Sequence, residues 1–185
     1  MNTATAKERI LETASELFFN QGYSQTGINQ IIEESKIAKG SLYYNFKSKT
    51  DVLTSYLKMS EETIFQYFED GLSTEKDSKS KLLKLVDLRF DLLRKGRYKG
   101  CRFARIVSEI SEEEEAVVLP VVRHFKNRFH SLIKGLTAQL KENETERAEL
   151  ADAIYLLMEG ASTQASIFKD DAAFVQTRKI ISSMI

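Results

Sequence analysis

Between positions 36 and 50 the chain carries Lys36, Lys39, Lys47 and Lys49 with no Asp or Glu, interleaved with Ser41, Tyr43, Tyr44 and Asn45. Ammonium groups, phenolic hydroxyls and a side-chain amide on one short stretch form a donor set for a polyanion, able to meet phosphates and base edges in a nucleic-acid groove. Gly40, beside Lys39 and Ser41, permits close backbone approach where amides at a helix start can meet a phosphate. The whole chain balances 27 basic against 27 acidic residues, so such a surface is a local patch and not the property of a generally basic protein.

Other chemistries find little support. One cysteine, Cys101, excludes an intrachain disulfide and fits a reducing compartment. His124 and His130 with that cysteine give no metal-ligand spacing, so no metal and no cofactor is expected. No nucleophile, base and orienting group fall into a recognisable arrangement, and no glycine-rich phosphate loop occurs, which speaks against an enzyme. Lys7, Glu8, Arg9, Glu12 and Glu16 interrupt every apolar stretch near the start, unlike a signal peptide. The longest apolar run, 116–122, is far too short for a membrane span. These features predict a cytoplasmic protein.

The elements that must position the donor set are helices. One proline and eight glycines punctuate the chain, and apolar residues recur at three and four. The pattern predicts an all-α fold of about nine helices. Ile10, Ala14, Leu17 and Phe18 share a face of the first, which Gly22 ends in the left-handed position. Thr26 is placed to cap a short second helix with Ile28, Ile31 and Ile32 inward. A third begins near Ala38 or Lys39 and buries Leu42 and Phe46, so at least one of Tyr43 and Tyr44 points elsewhere. Two short helices over about 28–47, braced by the first, make a helix-turn-helix. Ser48 and Asp51 resemble a capping box opening a long fourth helix, about 49–70. Leu82 to Leu93 write a fifth, Cys101 to about Ile110 a sixth, and a seventh follows the second box, Ser111 and Glu114, with the run Glu112 to Glu115 as its solvated start. Pro120 kinks or restarts that helix. Leu150 to Phe168 and Phe174 to Met184 complete the set. Gly160, Ala161, Ser162, Ala165 and Ser166 leave a smooth strip on the eighth, which lets another helix approach closely.

The string Arg9-Ile10-Leu11, Ala14, Leu17-Phe18, Gly22-Tyr23, Thr26, Ile31, Lys39-Gly40-Ser41-Leu42-Tyr43-Tyr44, Phe46 and Lys49 resembles the TetR family of bacterial transcriptional regulators. Departures are Ile32 for the usual Ala, Lys36 for Gly, Ala38 for Ser or Thr, and Asn45 for His. The resemblance implies a DNA-binding domain at 1–50 and an effector-binding and dimerisation domain at 51–185. It implies a repressor released from a palindromic double-stranded operator by an unknown small-molecule effector. Thr26, Tyr43, Tyr44 and Lys49 would hold the DNA backbone, Lys39, Gly40 and Ser41 would meet base edges, and Asn45 would replace a histidine contact with its own donor.

By the same resemblance Phe90, Phe103, Phe125, Phe129 and Tyr155 lie on helices surrounding an effector cavity, although each also suits plain core. Helices eight and nine of two copies would build a twofold interface through Leu157, Gly160, Ala161, Ala165 and Ile181. Cys101 reads either as a small apolar residue or as a reactive thiol favoured by a helix start and by Lys99, Arg102 and Arg105. In the second case thiol modification, or a protein partner, replaces the effector. Expected partners are thus DNA, a second copy and a small molecule, with no membrane and with nucleoid association when bound.

Overall fold

The computed structural model describes residues 4–185, among which there are nine helices and no strand. They are α1 (Ala6–Asn20), α2 (Ile28–Glu34), α3 (Lys39–Asn45), α4 (Lys49–Leu72), α5 (Ser78–Lys95), α6 (Arg102–Val107), α7 (Glu112–Thr137), α8 (Glu144–Phe168) and α9 (Ala172–Met184). The all-α expectation and its helix number hold. Packing gathers them into two compact units, one built from the chain through Glu62 with Arg102–His124, the other from Thr63–Cys101 with Phe125–Ile185. Both α4 and α7 contribute residues to each unit.

In the first unit α1 begins with a complete capping box, Thr5 accepting from the Glu8 amide while the Glu8 carboxylate accepts from the Thr5 amide. Its apolar face, Ile10, Leu11, Ala14, Leu17 and Phe18, packs with Ile31 of α2 and Leu42 and Phe46 around α3. Phe18 meets Tyr23 and Tyr56 edge-on, with centroids 5.2 Å and 5.7 Å away. Helix α2 starts differently from the expectation. Gly27 is its N-cap and no side chain caps it, because the Thr26 hydroxyl turns inward to donate to Gly22 O at 2.6 Å. Helix α6 stops at Val107, since Ser108 and Glu109 close tight turns onto Arg105 and Ile106. Helix α7 runs unbroken past Pro120, which is exposed with Ala116, so the carbonyl that proline leaves without an amide faces solvent.

In the second unit Leu82, Leu85, Val86, Leu88 and Leu93 of α5 are buried, as are Phe125, Phe129 and Ile133 of α7 and Ile154 and Met158 of α8. Leu93, Ala161, Ala165 and Phe174 form a small cluster joining α5, α8 and α9, with Phe90 stacked on Phe174 at 4.6 Å. Large apolar side chains nevertheless stay exposed on α8 and α9: Leu156, Ile167, Phe168 and Val175.

Candidate nucleic-acid interface

Helix α3 is held by two anchors, Leu42 and Phe46, both essentially inaccessible. With those positions inward, the helical repeat turns Lys39, Gly40, Tyr43 and Tyr44 to solvent. Tyr44 is 91% exposed, an extreme value for an aromatic residue that the fold does not need there, and Tyr43 is 46% exposed. The Lys39 ammonium lies 6.0 Å from the Tyr43 ring. A side chain at Gly40 would meet nothing within 4 Å, so its own fold does not require glycine at this helical position, where glycine costs about 1 kcal/mol relative to Ala. Asn45 spends one of its two Nδ2 hydrogens on Ser41 O at 2.7 Å and keeps the other as a donor.

The turn before α3 has a cost of its own. Lys36 takes the left-handed conformation, φ 53, where the family pattern has glycine. Arg9 of α1 steadies this end of α2 by donating to the carbonyls of Ser35 and, at 2.8 Å, Lys36. Sequence reasoning saw Arg9 only as part of a string.

Two expected phosphate contacts are placed otherwise. Thr26 is 1% exposed and its hydroxyl is already committed to Gly22 O, so its side chain is withdrawn from any ligand. Lys49 is half-buried, its ammonium donating to Tyr23 O and Thr26 O at 3.1 Å each and lying 4.1 Å over the Tyr23 ring. Burial lowers its pKa, partly offset by the carboxylates of Glu114 and Glu109. Two of its three donors bolt the turn after α1, leaving one for another acceptor.

That turn is also held by two carboxylates, Glu109 and Glu114, the second from the run expected to be solvated. Gly22, at φ 101, fulfils the expected left-handed stop. Its bare Cα also admits Glu109, whose Oε2 would lie 2.8 Å from an added Cβ. The same oxygen accepts from the Tyr23 amide and, at 3.2 Å, from the Ser24 amide. Glu114 accepts from the Tyr23 hydroxyl, from Thr50 Oγ1 at 2.7 Å and from the Ser111 amide at 3.0 Å. Burial pushes the Glu114 carboxyl up, yet the hydrogen bonds from Tyr23, Ser111 and Thr50 together hold it below the ordinary glutamate range. Burial, then Glu114 itself, drives the Tyr23 hydroxyl far above its usual range, so it remains a donor. The run Glu112 to Glu115 is therefore a capped helix start but not wholly solvated. The visible signal was Ser111 with Glu114; nothing in the spacing indicated that the acid also reaches Tyr23 and Thr50.

The other candidate residues lie in several places. Phe125 and Phe129 are fully buried with the Tyr155 ring 6.2 Å from Phe129, Phe90 stacks in the α5, α8 and α9 cluster, and Phe103 is buried in the first unit. An open cleft of about 450 Å³ in the second unit is lined by Phe65, Phe68, Leu72, Leu132 and Leu136, with the charged Glu69, Lys81 and Arg128. Ala161, Ala165 and Ile181 are corrected as interface residues, because each is buried within the chain itself. Leu157 is half-buried, while Gly160 is exposed with open space where a Cβ would stand.

Cys101 stands at the expected helix start, immediately before α6, but is buried there. Two of its expected cations are engaged elsewhere: Arg102 donates to Ser60 Oγ and Arg105 pairs with Glu109 at 3.7 Å. Lys126 takes that place, 3.7 Å from the sulfur, while also pairing with Glu159. Arg89 lies alongside, 5% exposed. Burial opposes its charge, but the neighbouring Cys101 and Glu159 more than offset this. Among the described residues no group of three or more His, Cys, Asp and Glu is arranged to hold a metal ion, and no helix is long and apolar enough to cross a membrane.

Residues 10–56 match the family described as bacterial regulatory proteins, tetR family. The HTH-type transcriptional regulator YxaF of Bacillus subtilis is 31% identical over 175 residues, spanning 89% of this chain and 87% of the relative. A Lactococcus lactis HTH-type transcriptional regulator encoded in the lacX 3' region is 25% identical over 171 residues, 91% of this chain and 87% of its own length. Among solved structures, a TetR-family transcriptional regulator from Streptomyces coelicolor superposes with a TM-score of 0.86 at 21% identity, covering 97% of this chain and 87% of the other.

Proposed function

The chain belongs to the TetR family of bacterial regulatory proteins, DNA-binding transcriptional regulators rather than enzymes, and on that premise we propose that it is a repressor released from its operator by a small-molecule effector. Residues 1–50 act as the DNA-binding domain and 51–185 as the effector and dimerisation domain. The observation that carries the DNA-contact assignment is α3, anchored by Leu42 and Phe46 while Lys39, Gly40, Tyr43 and Tyr44 stand exposed. Lys39, Gly40 and Ser41 read base edges, Tyr43 and Tyr44 hold phosphates, and Lys49 offers its remaining donor from the turn it also secures.

Exposed Leu156, Ile167, Phe168 and Val175, with Gly160 open beside them, support a homodimer through α8 and α9. Two recognition helices then meet half-sites of a palindrome one DNA turn apart, about 34 to 36 Å. The protein acts in the cytoplasm, on the nucleoid when bound. The test is binding to DNA from upstream of its own gene. A palindromic segment is bound with steep salt dependence, Tyr44→Ala weakens it, and Lys49→Gln weakens all sequences alike while lowering the salt slope by about one. Equal affinity for unrelated DNA, or a monomer in sedimentation at micromolar concentration, contradicts the reading.

A second control has a specific observation behind it. Lys126, 3.7 Å from Cys101, favours a thiolate, which supports thiol modification, the alternative to a protein partner, in place of the effector. In that case N-ethylmaleimide releases operator from the protein but not from Cys101→Ser; release of both excludes the thiol.

A further inference from the structure

The interior of the second unit contains a charged cluster whose hydrogen bonding is incomplete. Arg89 of α5 is 5% exposed, and its Nε and Nη2 have no hydrogen-bond partner among the protein's groups. Glu159 of α8 pairs through Oε2 with Lys126 of α7, while its Oε1 is likewise without a partner. That oxygen lies 3.8 Å from Arg89 Nη2, too far for a hydrogen bond although both atoms are buried. Above the guanidinium, 5.5 Å away, is the ring of Phe129.

Buried donors and acceptors almost always find partners, and an Arg whose Nε and Nη2 are both open presents the side-on edge that grips two oxygens of one planar group. Arg89 keeps its charge despite burial, beside Cys101 and Glu159, so the open edge is that of a guanidinium. A carboxylate, with two coplanar oxygens and a negative charge, answers that edge. Glu159 Oε1 adds a second demand, for a donor close to that anion.

We propose that Arg89 and Glu159 anchor the polar head of the effector, and that this effector is a monocarboxylate bearing a hydroxyl or N–H next to its carboxylate. The carboxylate takes both donors on the Arg89 edge, and the adjacent hydroxyl donates to Glu159 Oε1. This rests on the effector reading above and names its ligand class.

Mandelate, phenylacetate and mandelamide separate the demands, because the first pair differs by one hydroxyl and mandelate differs from mandelamide by the charge. Calorimetric titration of the full chain, with thermal melting, is expected to rank them mandelate, then phenylacetate about tenfold weaker, with mandelamide showing no saturation. Arg89→Met and Arg89→Lys both abolish binding of the acids, the second because an ammonium lacks the two-pronged edge. Glu159→Leu, which leaves no acceptor for the hydroxyl, makes mandelate and phenylacetate equal. Circular dichroism confirms that each variant is folded, and Arg89→Lys keeps the test open if Arg89→Met is not. Mandelamide binding like mandelate, Arg89→Lys binding like the parent, or no acid binding at millimolar concentration overturns the proposal. A parallel operator-release assay tells the two readings apart. Acids that bind through Arg89 but leave the operator complex intact refute the effector reading and keep the site. A compound of another class that releases operator equally from the parent and Arg89→Met refutes the site and keeps the effector reading.

Discussion

Two carboxylate-centred clusters, one in each unit, are built from similar residues and finished differently. Around Tyr23, Glu109 and Glu114 accept from the backbone amides of Tyr23 and Ser24, the hydroxyls of Tyr23 and Thr50 and the Ser111 amide, and Lys49 binds the carbonyls of the same turn. Around Arg89, by contrast, two guanidinium nitrogens and one carboxylate oxygen stay unanswered. A completed network fixes a backbone, here the turn that leads into the helix-turn-helix. An incomplete one is a poor source of stability and a good socket.

The sharpest break is at Gly22. Gly22→Ala forces a side chain into the left-handed region and drives Glu109 from the Tyr23 and Ser24 amides, costing about 3 kcal/mol in urea denaturation and lowering operator affinity with it. An unchanged midpoint would show that the carboxylate is not needed by the turn.

Next is Glu114→Ala, which leaves the buried Tyr23 hydroxyl without its strongest acceptor and costs about 2 kcal/mol. Its pH dependence has a definite sign. The folded-state pKa of Glu114 is depressed, so its contribution is present above the unfolded glutamate pKa and is lost as pH falls through the lower folded value. Glu114→Gln therefore flattens the acid side of the stability profile; a profile of unaltered steepness would assign acid sensitivity elsewhere.

Smaller, and opposite in sign, is Lys36→Gly. Relief of the left-handed lysine outweighs the added chain entropy by about 0.5 to 1 kcal/mol, so the midpoint rises. A fall would mean that the lysine side chain itself holds the turn.

The least effect is expected at the second cluster. Arg89→Met removes a buried guanidinium with two unmet donors and leaves Glu159 paired to Lys126, so stability changes by less than about 1 kcal/mol. A loss as large as that of Glu114→Ala would erase the distinction between the clusters.

Much of this molecule is legible in its residues. Apolar spacing marks the nine helices, Gly22 marks the end of the first, and Leu42 with Phe46 shows which side of the third is inward, because a helix repeats every 3.6 residues and each choice is local. Those same rules left at least one of Tyr43 and Tyr44 facing outward, and both are exposed, with Lys39. What the linear pattern does not carry is which of several apolar residues on one helix meets its own chain. Ala161, Ala165 and Ile181 suited an interface by size, but only packing within the chain shows them to be core, with Leu156, Ile167 and Phe168 left outside. Glu109 and Glu114 stand more than eighty residues from Tyr23, and Arg89, Cys101, Lys126 and Glu159 come from separate helices and loops. Periodicity decides the face a residue occupies within its own helix; the distances that make an ion pair, a turn clamp or an open guanidinium edge exist only after the helices have packed.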